Sequence, residues 1–168
     1  MNKALKGSLI AATLAIAAGG AYFAFTQKQV MPEAKFAMVS GELLSSADLR
    51  GKVTLVNFWA TSCAPCITEM PKFVQNHNEF KTRGLETILV AMDYDPPLYV
   101  KNFTERNKLP FKVAMDSRGD IARSFGNVSV TPTTFLIDKK GRIIKSYLGE
   151  PDFAKLHELI DSALKDST

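Results

Sequence analysis

Cysteine is nearly absent from this 168-residue chain, which holds two Cys, one Trp and two His. Two cysteines exclude a disulfide-stapled scaffold, and a chain this long builds a core without staples. They also leave zinc short of ligands, because a tetrahedral site needs four and there is no second cysteine pair. His77 would lie about 16 Å along the same helix from Cys66, too far to share a metal. His157 falls in a terminal amphipathic segment, where a surface position is the plain reading. Charge of one sign is not in excess either: Lys3 and Lys6 supply part of the formal +4, and the remainder is nearly balanced. A nucleic-acid-binding surface would need Lys and Arg concentrated on one face, so nucleic acid is not an expected partner. Internal repeats and low-complexity tracts are missing, and 46% apolar with 23% charged residues is the make-up of a folded globular protein.

Charge is missing altogether from Gly7 to Thr26, a run preceded by Lys3 and Lys6 and followed by Lys28. As a helix it would be roughly 30 Å long, the thickness of a bilayer's hydrocarbon core. The positive amino-terminal side stays in the cytoplasm, which sends the rest of the chain across the membrane. Two fates stand open. Ala15-Ile16-Ala17 offers the small-residue pattern of a signal-peptide cut, which would leave a soluble exported protein. Tyr22, Phe23 and Phe25 continue the apolar run beyond that point, as an uncleaved anchor would. The chain therefore divides into an anchor or signal segment (1–26), a linker with Pro32 (27–35) and one exported domain (36–168).

Within the domain, Phe36 to Leu44 reads as a hairpin or edge strand, and Ser46 to Leu49 as a single turn before Gly51. Val53 to Trp59 is β-branched and aromatic on both faces, the pattern of a central buried strand. A helix is predicted from the cysteine motif to about Lys81, bent or reset at Pro71. Leu85 to Met92 reads as a second buried strand, Leu98 to Asn107 as a helix, Phe111 to Met115 as a strand, and Asp120 to Phe125 as a short helix ended by Gly126. Thr133 to Ile137 and Arg142 to Leu148 form a hairpin around Asp138-Lys139-Lys140-Gly141. Asp152 to Leu164 is an amphipathic helix. Such alternation predicts an α/β fold with a mixed central sheet flanked by helices.

The two cysteines occur together, in Cys63-Ala64-Pro65-Cys66. Two thiols three residues apart at a helix start lie within one turn, so they can form a local disulfide. The loop it closes is too small to stabilise the fold much, which favours a redox role over a structural one. Unpaired N–H groups and the positive dipole end of the helix favour a thiolate on Cys63. Lowering a thiol from about 8.5 to about 7 corresponds to roughly 2 kcal/mol. Cys63 is thus the expected exposed nucleophile and Cys66 the more buried resolving thiol. Pro65 has no N–H to offer the sulfur.

Asn57-Phe58-Trp59-Ala60-Thr61-Ser62-Cys63-Ala64-Pro65-Cys66, preceded by Leu49-Arg50-Gly51-Lys52, resembles the active-site region of membrane-anchored thioredoxin-like proteins of the TlpA/ResA type. Val130-Thr131-Pro132-Thr133-Thr134-Phe135-Leu136-Ile137-Asp138, followed by Gly141, resembles that family's second signature. The resemblance spans about residues 36 to 165. It implies a thioredoxin fold, with the helix and strand between Leu98 and Met115 as the family's insertion ahead of a cis-proline. It implies a Sec-exported oxidoreductase at the bacterial inner membrane, its domain in the periplasm or outside, often serving cytochrome c or oxidase maturation. Pro132 would be the cis-proline facing the disulfide, and Thr131 would offer its backbone to a substrate strand; Trp59, Ala64 and Pro65 would be the neighbouring substrate contacts, Trp59 packing beneath the motif first.

Two positions depart from expectation. Thioredoxin has a buried acid where this chain has Asn57, so the proton acceptor must lie elsewhere. Glu69, three residues after Cys66 and on its helix face beside Met70, Phe73 and Val74, is the candidate. Proteins of the TlpA/ResA type place a functional Glu there. Partly desolvated, its carboxyl would have a raised pKa and exchange a proton with the inner thiol. Ser62 stands where the family usually has Trp, which removes a flat apolar contact beside the nucleophile.

The function expected is a thiol–disulfide oxidoreductase working as a protein disulfide reductase, with no cofactor beyond the Cys63/Cys66 pair. Its partners would be disulfide-containing clients and a membrane electron-transfer protein that re-reduces it. The alternative from another class is a thioredoxin-fold copper metallochaperone, although the distant histidine and differently spaced cysteines of such proteins are not evident.

Overall fold

The computed structural model describes residues 29–166, so the apolar segment 1–26 lies outside the described residues. Among the described residues no helix is long and apolar enough to cross a membrane. Seven strands form one mixed sheet in the order β2-β1-β5-β4-β3-β6-β7. These are β1 (Lys35–Met38), β2 (Leu43–Ser45), β3 (Val53–Trp59), β4 (Leu85–Ala91), β5 (Lys112–Met115), β6 (Thr133–Ile137) and β7 (Ile143–Leu148). Among the described residues four α-helices accompany them: α1 (Ala64–Phe80), α2 (Pro97–Arg106), α3 (Asp120–Ser124) and α4 (Phe153–Lys165).

The expected α/β architecture is the observed one, and β3 is its centre. Every residue of β3 is buried, as its unbroken apolar and β-branched run requires of a strand covered on both faces. It runs parallel to β4 from Val53↔Leu85 to Trp59↔Ala91 and antiparallel to β6 from Thr54↔Ile137 to Phe58↔Thr133. Alternation along β3 sends Val53, Leu55 and Trp59 into one cluster with Met70, Phe73, Val100, Leu156 and Ile160 of α1, α2 and α4. Val56 and Phe58 point the other way, against Leu49, Ile121, Ala122 and Phe125. Thus α1, α2 and α4 cover one face, and α3 with the 3₁₀ turn Ser46–Leu49 covers the other. The segment between the two signatures adds α2 and β5, with β5 parallel to β4.

Two details differ from the sequence reading. Helix α1 continues through Pro71 without a break; Pro71 is exposed, on the side where water can take the place of the lost hydrogen bond. Residues 29–31, read as linker, are tied to the β6–β7 turn: Val30 bridges Arg142, and the Met31 N–H donates to Gly141 O at 2.8 Å. Met31 is buried among Phe36, Leu49 and Ile137, so the folded unit begins several residues before Phe36.

Candidate active site

Strand β3 delivers its chain to the carboxyl end of the sheet, where the next residues turn into α1. Cys63 is the N-cap of α1, and its Sγ accepts a hydrogen bond from the Cys66 N–H at 3.3 Å. The sulfur therefore sits where the helix presents unpaired N–H groups and its positive end. Pro65 occupies the first turn, where an N–H has no intrahelical partner to lose. Cys63 and Cys66 are joined by a disulfide with an S–S distance of 2.04 Å. Cys63 is partly exposed, Ala64 and Pro65 are exposed, and Cys66 is buried. Only Cys63 of the pair is open to attack from, or on, a second molecule.

One turn further along, Glu69 points inward and is 1% exposed. Asn57, on the same face of β3, donates through Nδ2 to Glu69 Oε1 at 3.3 Å and to Thr134 Oγ1 at 3.0 Å. Glu69 Oε2 has no hydrogen-bond partner among the described residues. Burial raises the Glu69 pKa from 4.5 to about 7; the Asn57 hydrogen bond opposes that rise, the nearby Glu150 charge adds to it and Lys72 counters it. A carboxyl group that titrates near neutrality on the helix face of the inner cysteine can hold or release a proton there. Asn57 acts through Glu69, holding it in place.

In the loop before β6, the Thr131–Pro132 bond is cis. The β3–β6 register, with Phe58 beside Thr133, sets this loop at the same end of the sheet as Cys63. The Gly149 N–H donates to Pro132 O at 2.8 Å, and the adjacent Glu150 pairs with Lys72 of α1 at 2.6 Å, so the loop is fastened from two sides. Pro132 is buried and Thr131 half-buried, while Val130 is exposed. In this loop the residues a second molecule can reach are chiefly Val130 and Thr131.

Trp59 requires a correction. Expected among the substrate contacts, it is fully buried, its ring 5.2 Å from that of Phe103 on α2. The strand's alternation puts it on the helix-covered face, out of reach of a client. Its role is to pack under the motif. Ser62 is exposed beside Cys63.

Two further residues were not legible in advance. Asp95 is buried and accepts from both the Thr61 N–H and the Thr61 hydroxyl, each at 2.6 Å. It ties the β4–α2 loop to the residues that lead into Cys63. Tyr94, exposed in the same loop, lies with its hydroxyl 3.4 Å from Thr131 Oγ1. The signal that could have found them is position: Asp93-Tyr94-Asp95 follows a buried parallel strand beside β3, and ligands gather at the carboxyl ends of such strands. His77 instead packs in the core, Nδ1 3.2 Å from Thr87 Oγ1, and His157 lies 3.0 Å from Asn76 Oδ1. Among the described residues no three His, Cys, Asp or Glu side chains come together as a metal site.

With this geometry in view, residues 26–160 match the redoxin family. The thiol–disulfide oxidoreductase ResA of Bacillus thuringiensis subsp. konkukian is 37% identical over 123 residues, 73% of this chain and 69% of that protein. A solution structure from Neisseria meningitidis, described as a candidate thioredoxin, superposes with a TM-score of 0.77 at 40% identity, covering 84% of this chain and 93% of the other. A thioredoxin-family thiol:disulfide interchange protein of Chlorobium tepidum gives a TM-score of 0.75 at 29% identity, with 83% and 98% covered.

Proposed function

From the premise that this chain belongs to the redoxin family and is a thiol–disulfide oxidoreductase, we propose that it reduces protein disulfides outside the cytoplasm, held at the membrane by residues 1–26. One observation carries the chemistry: a partly exposed Cys63 at the α1 N-terminus is bonded to a buried Cys66, with a buried carboxyl titrating near pH 7 one turn on. In the reduced protein, the Cys63 thiolate attacks a client disulfide. A Cys63–client bond forms, the client S–S bond breaks, and one client thiolate leaves. Cys66 then loses its proton, with Glu69 as acceptor, and attacks the Cys63 sulfur. The second client thiolate departs, two electrons have passed to the client, and the Cys63–Cys66 disulfide remains. A membrane electron-transfer dithiol restores the reduced pair by the same exchange.

The uncharged run after Lys3 and Lys6 supports export and anchoring. The place of Pro65 in the motif and the resemblance of the two signatures to the TlpA/ResA type support the reducing direction and a part in cytochrome c or oxidase maturation. Acid quenching of cells followed by alkylation tests the direction. A reductase is recovered mainly with both thiols free; recovery mainly as the disulfide would overturn the reading. Cys66→Ser is expected to accumulate mixed disulfides through Cys63 with exported clients, and Cys63→Ser is not.

A further inference from the structure

Resting on the anchoring reading, we propose that the pole of the domain opposite the disulfide lies on the anionic headgroups of the membrane. Two independent features meet at that pole. The first is the path of the chain. Gln29 O accepts from the Ile143 N–H at 2.7 Å, and Val30 bridges Arg142 at the β6–β7 turn. This turn adjoins the start of β3, since Thr54 pairs with Ile137 and the Gly51 N–H donates to Lys139 O at 2.9 Å. Only three residue steps separate Gln29 from Thr26, the end of the uncharged run. Even fully extended they reach about 10 Å. On the anchoring reading the membrane surface therefore lies within about 10 Å of Gln29, beside the β6–β7 turn.

The second feature is charge. Four of the turns at this pole carry cations, the β1–β2 loop with Glu42 being the exception, and six of those cations have no carboxylate partner among the described residues: Arg50, Lys81, Arg106, Lys108, Lys139 and Lys140. At the disulfide end, Lys72, Arg118, Arg123 and Lys155 are each paired with Glu150, Asp120 or Asp152, and Lys35 is the one without a carboxylate partner among the described residues. Helices α1, α2 and α4 end at the cationic pole, and their carbonyl ends attract some of these groups. Lys139 Nζ, for instance, bonds Leu164 O at 2.8 Å and Asp166 O at 2.9 Å. That accounts for Lys81, Arg106 and Lys139. It does not account for Arg50 and Lys140, which stand in turns; Lys108 directly follows the C-cap of α2 and falls with the helix-end group. A bilayer containing anionic lipid strengthens its hold about fivefold for each such charge near its surface.

The consequence is a fixed stand-off. The seven residues of β3 span about 23 Å from the cationic pole to the disulfide end. A reducing partner must present its thiols at that height, beyond the headgroups, and clients meet Cys63 on the side facing away from the membrane.

The test uses the full chain reconstituted into phosphatidylcholine vesicles with and without phosphatidylglycerol, read by amine acylation and mass spectrometry. Acylation of Lys108 and Lys140 is expected to slow at least about threefold in the anionic vesicles, against unchanged rates at Lys72 and Lys155. High salt should abolish the difference. Lys108→Glu combined with Lys140→Glu should remove the slowing at Lys81 and Lys139. A chain that floats with the vesicles but shows equal rates in both lipids keeps its anchor and overturns the surface contact. Slowing at Lys72 and Lys155 instead would place the wrong face down and overturn it too. A chain that does not float with vesicles removes the anchoring reading and this proposal with it.

Discussion

Replacing Glu69 by glutamine should make the protein more stable at pH 8 and leave it nearly unchanged at pH 4. The carboxyl group is buried, and its pKa rises from 4.5 to about 7. Below about pH 4.5 it is protonated in both the folded and the unfolded chain and has no pH-dependent effect. Between 4.5 and about 7 the unfolded chain gives up the proton while the folded one keeps it, so stability falls as pH rises. Above 7 the loss is complete and amounts to about 3 kcal/mol. The amide of Glu69→Gln keeps an acceptor for Asn57 Nδ2 and cannot ionise. Urea unfolding of the oxidised protein at steps from pH 4 to 8 measures the effect. The stability difference between variant and parent should grow by about 3 kcal/mol across that range, with its midpoint between pH 5 and 7. His77 contributes equally to both proteins and cancels in the difference. Parallel curves would show that Glu69 is not held in a desolvated state, and the assignment of a proton-exchanging carboxyl beside Cys66 would fall.

Burial lowers the His77 pKa, so the folded protein resists the proton that the unfolded chain takes up below about pH 6.5. His77→Gln should accordingly flatten the decline in stability as pH drops from 6.5 toward 5, measured by the same unfolding series. Asp95→Ala strips two 2.6 Å bonds from half-buried Thr61 and leaves its N–H and hydroxyl without a protein partner; a loss of about 1–2 kcal/mol is expected. Asp95→Asn retains an acceptor and should recover part of it, and the alkylation pH profile of reduced Cys63 should shift in Asp95→Ala, as a purely structural effect would not produce. Trp59→Phe loses an indole N–H that has no partner. It should therefore lower the denaturation midpoint less than Trp59→Ala, for which about 3–5 kcal/mol is expected.

Much of this fold could be read directly because local pattern and tertiary environment agree. Val53 to Trp59 is apolar on both faces and lies covered on both faces; the punctuation at Gly126 and around Lys139-Lys140-Gly141 falls where the chain turns. The site divides differently. Cys66 and Glu69 are fixed by helix geometry, since one three-residue step keeps them on one face, and Cys63 by its place at the N-cap. Thr61 and Asp95 are far apart in the chain, and their pairing depends on β4 lying parallel beside β3, which no local pattern encodes. Trp59 shows the converse. The family resemblance implied client contact alongside packing beneath the motif, and strand alternation left only the packing, with the ring under α2. Residues 29–31 were read as linker from composition, yet two backbone hydrogen bonds with the β6–β7 turn hold them.

The reduction potential of the Cys63–Cys66 pair, measured in defined thiol buffers, addresses the central claim most directly. A protein disulfide reductase requires a value near or below roughly −230 mV, toward the −270 mV or so of thioredoxin. A value near about −120 mV would make the disulfide a strong oxidant and contradict the direction of electron flow proposed for this protein.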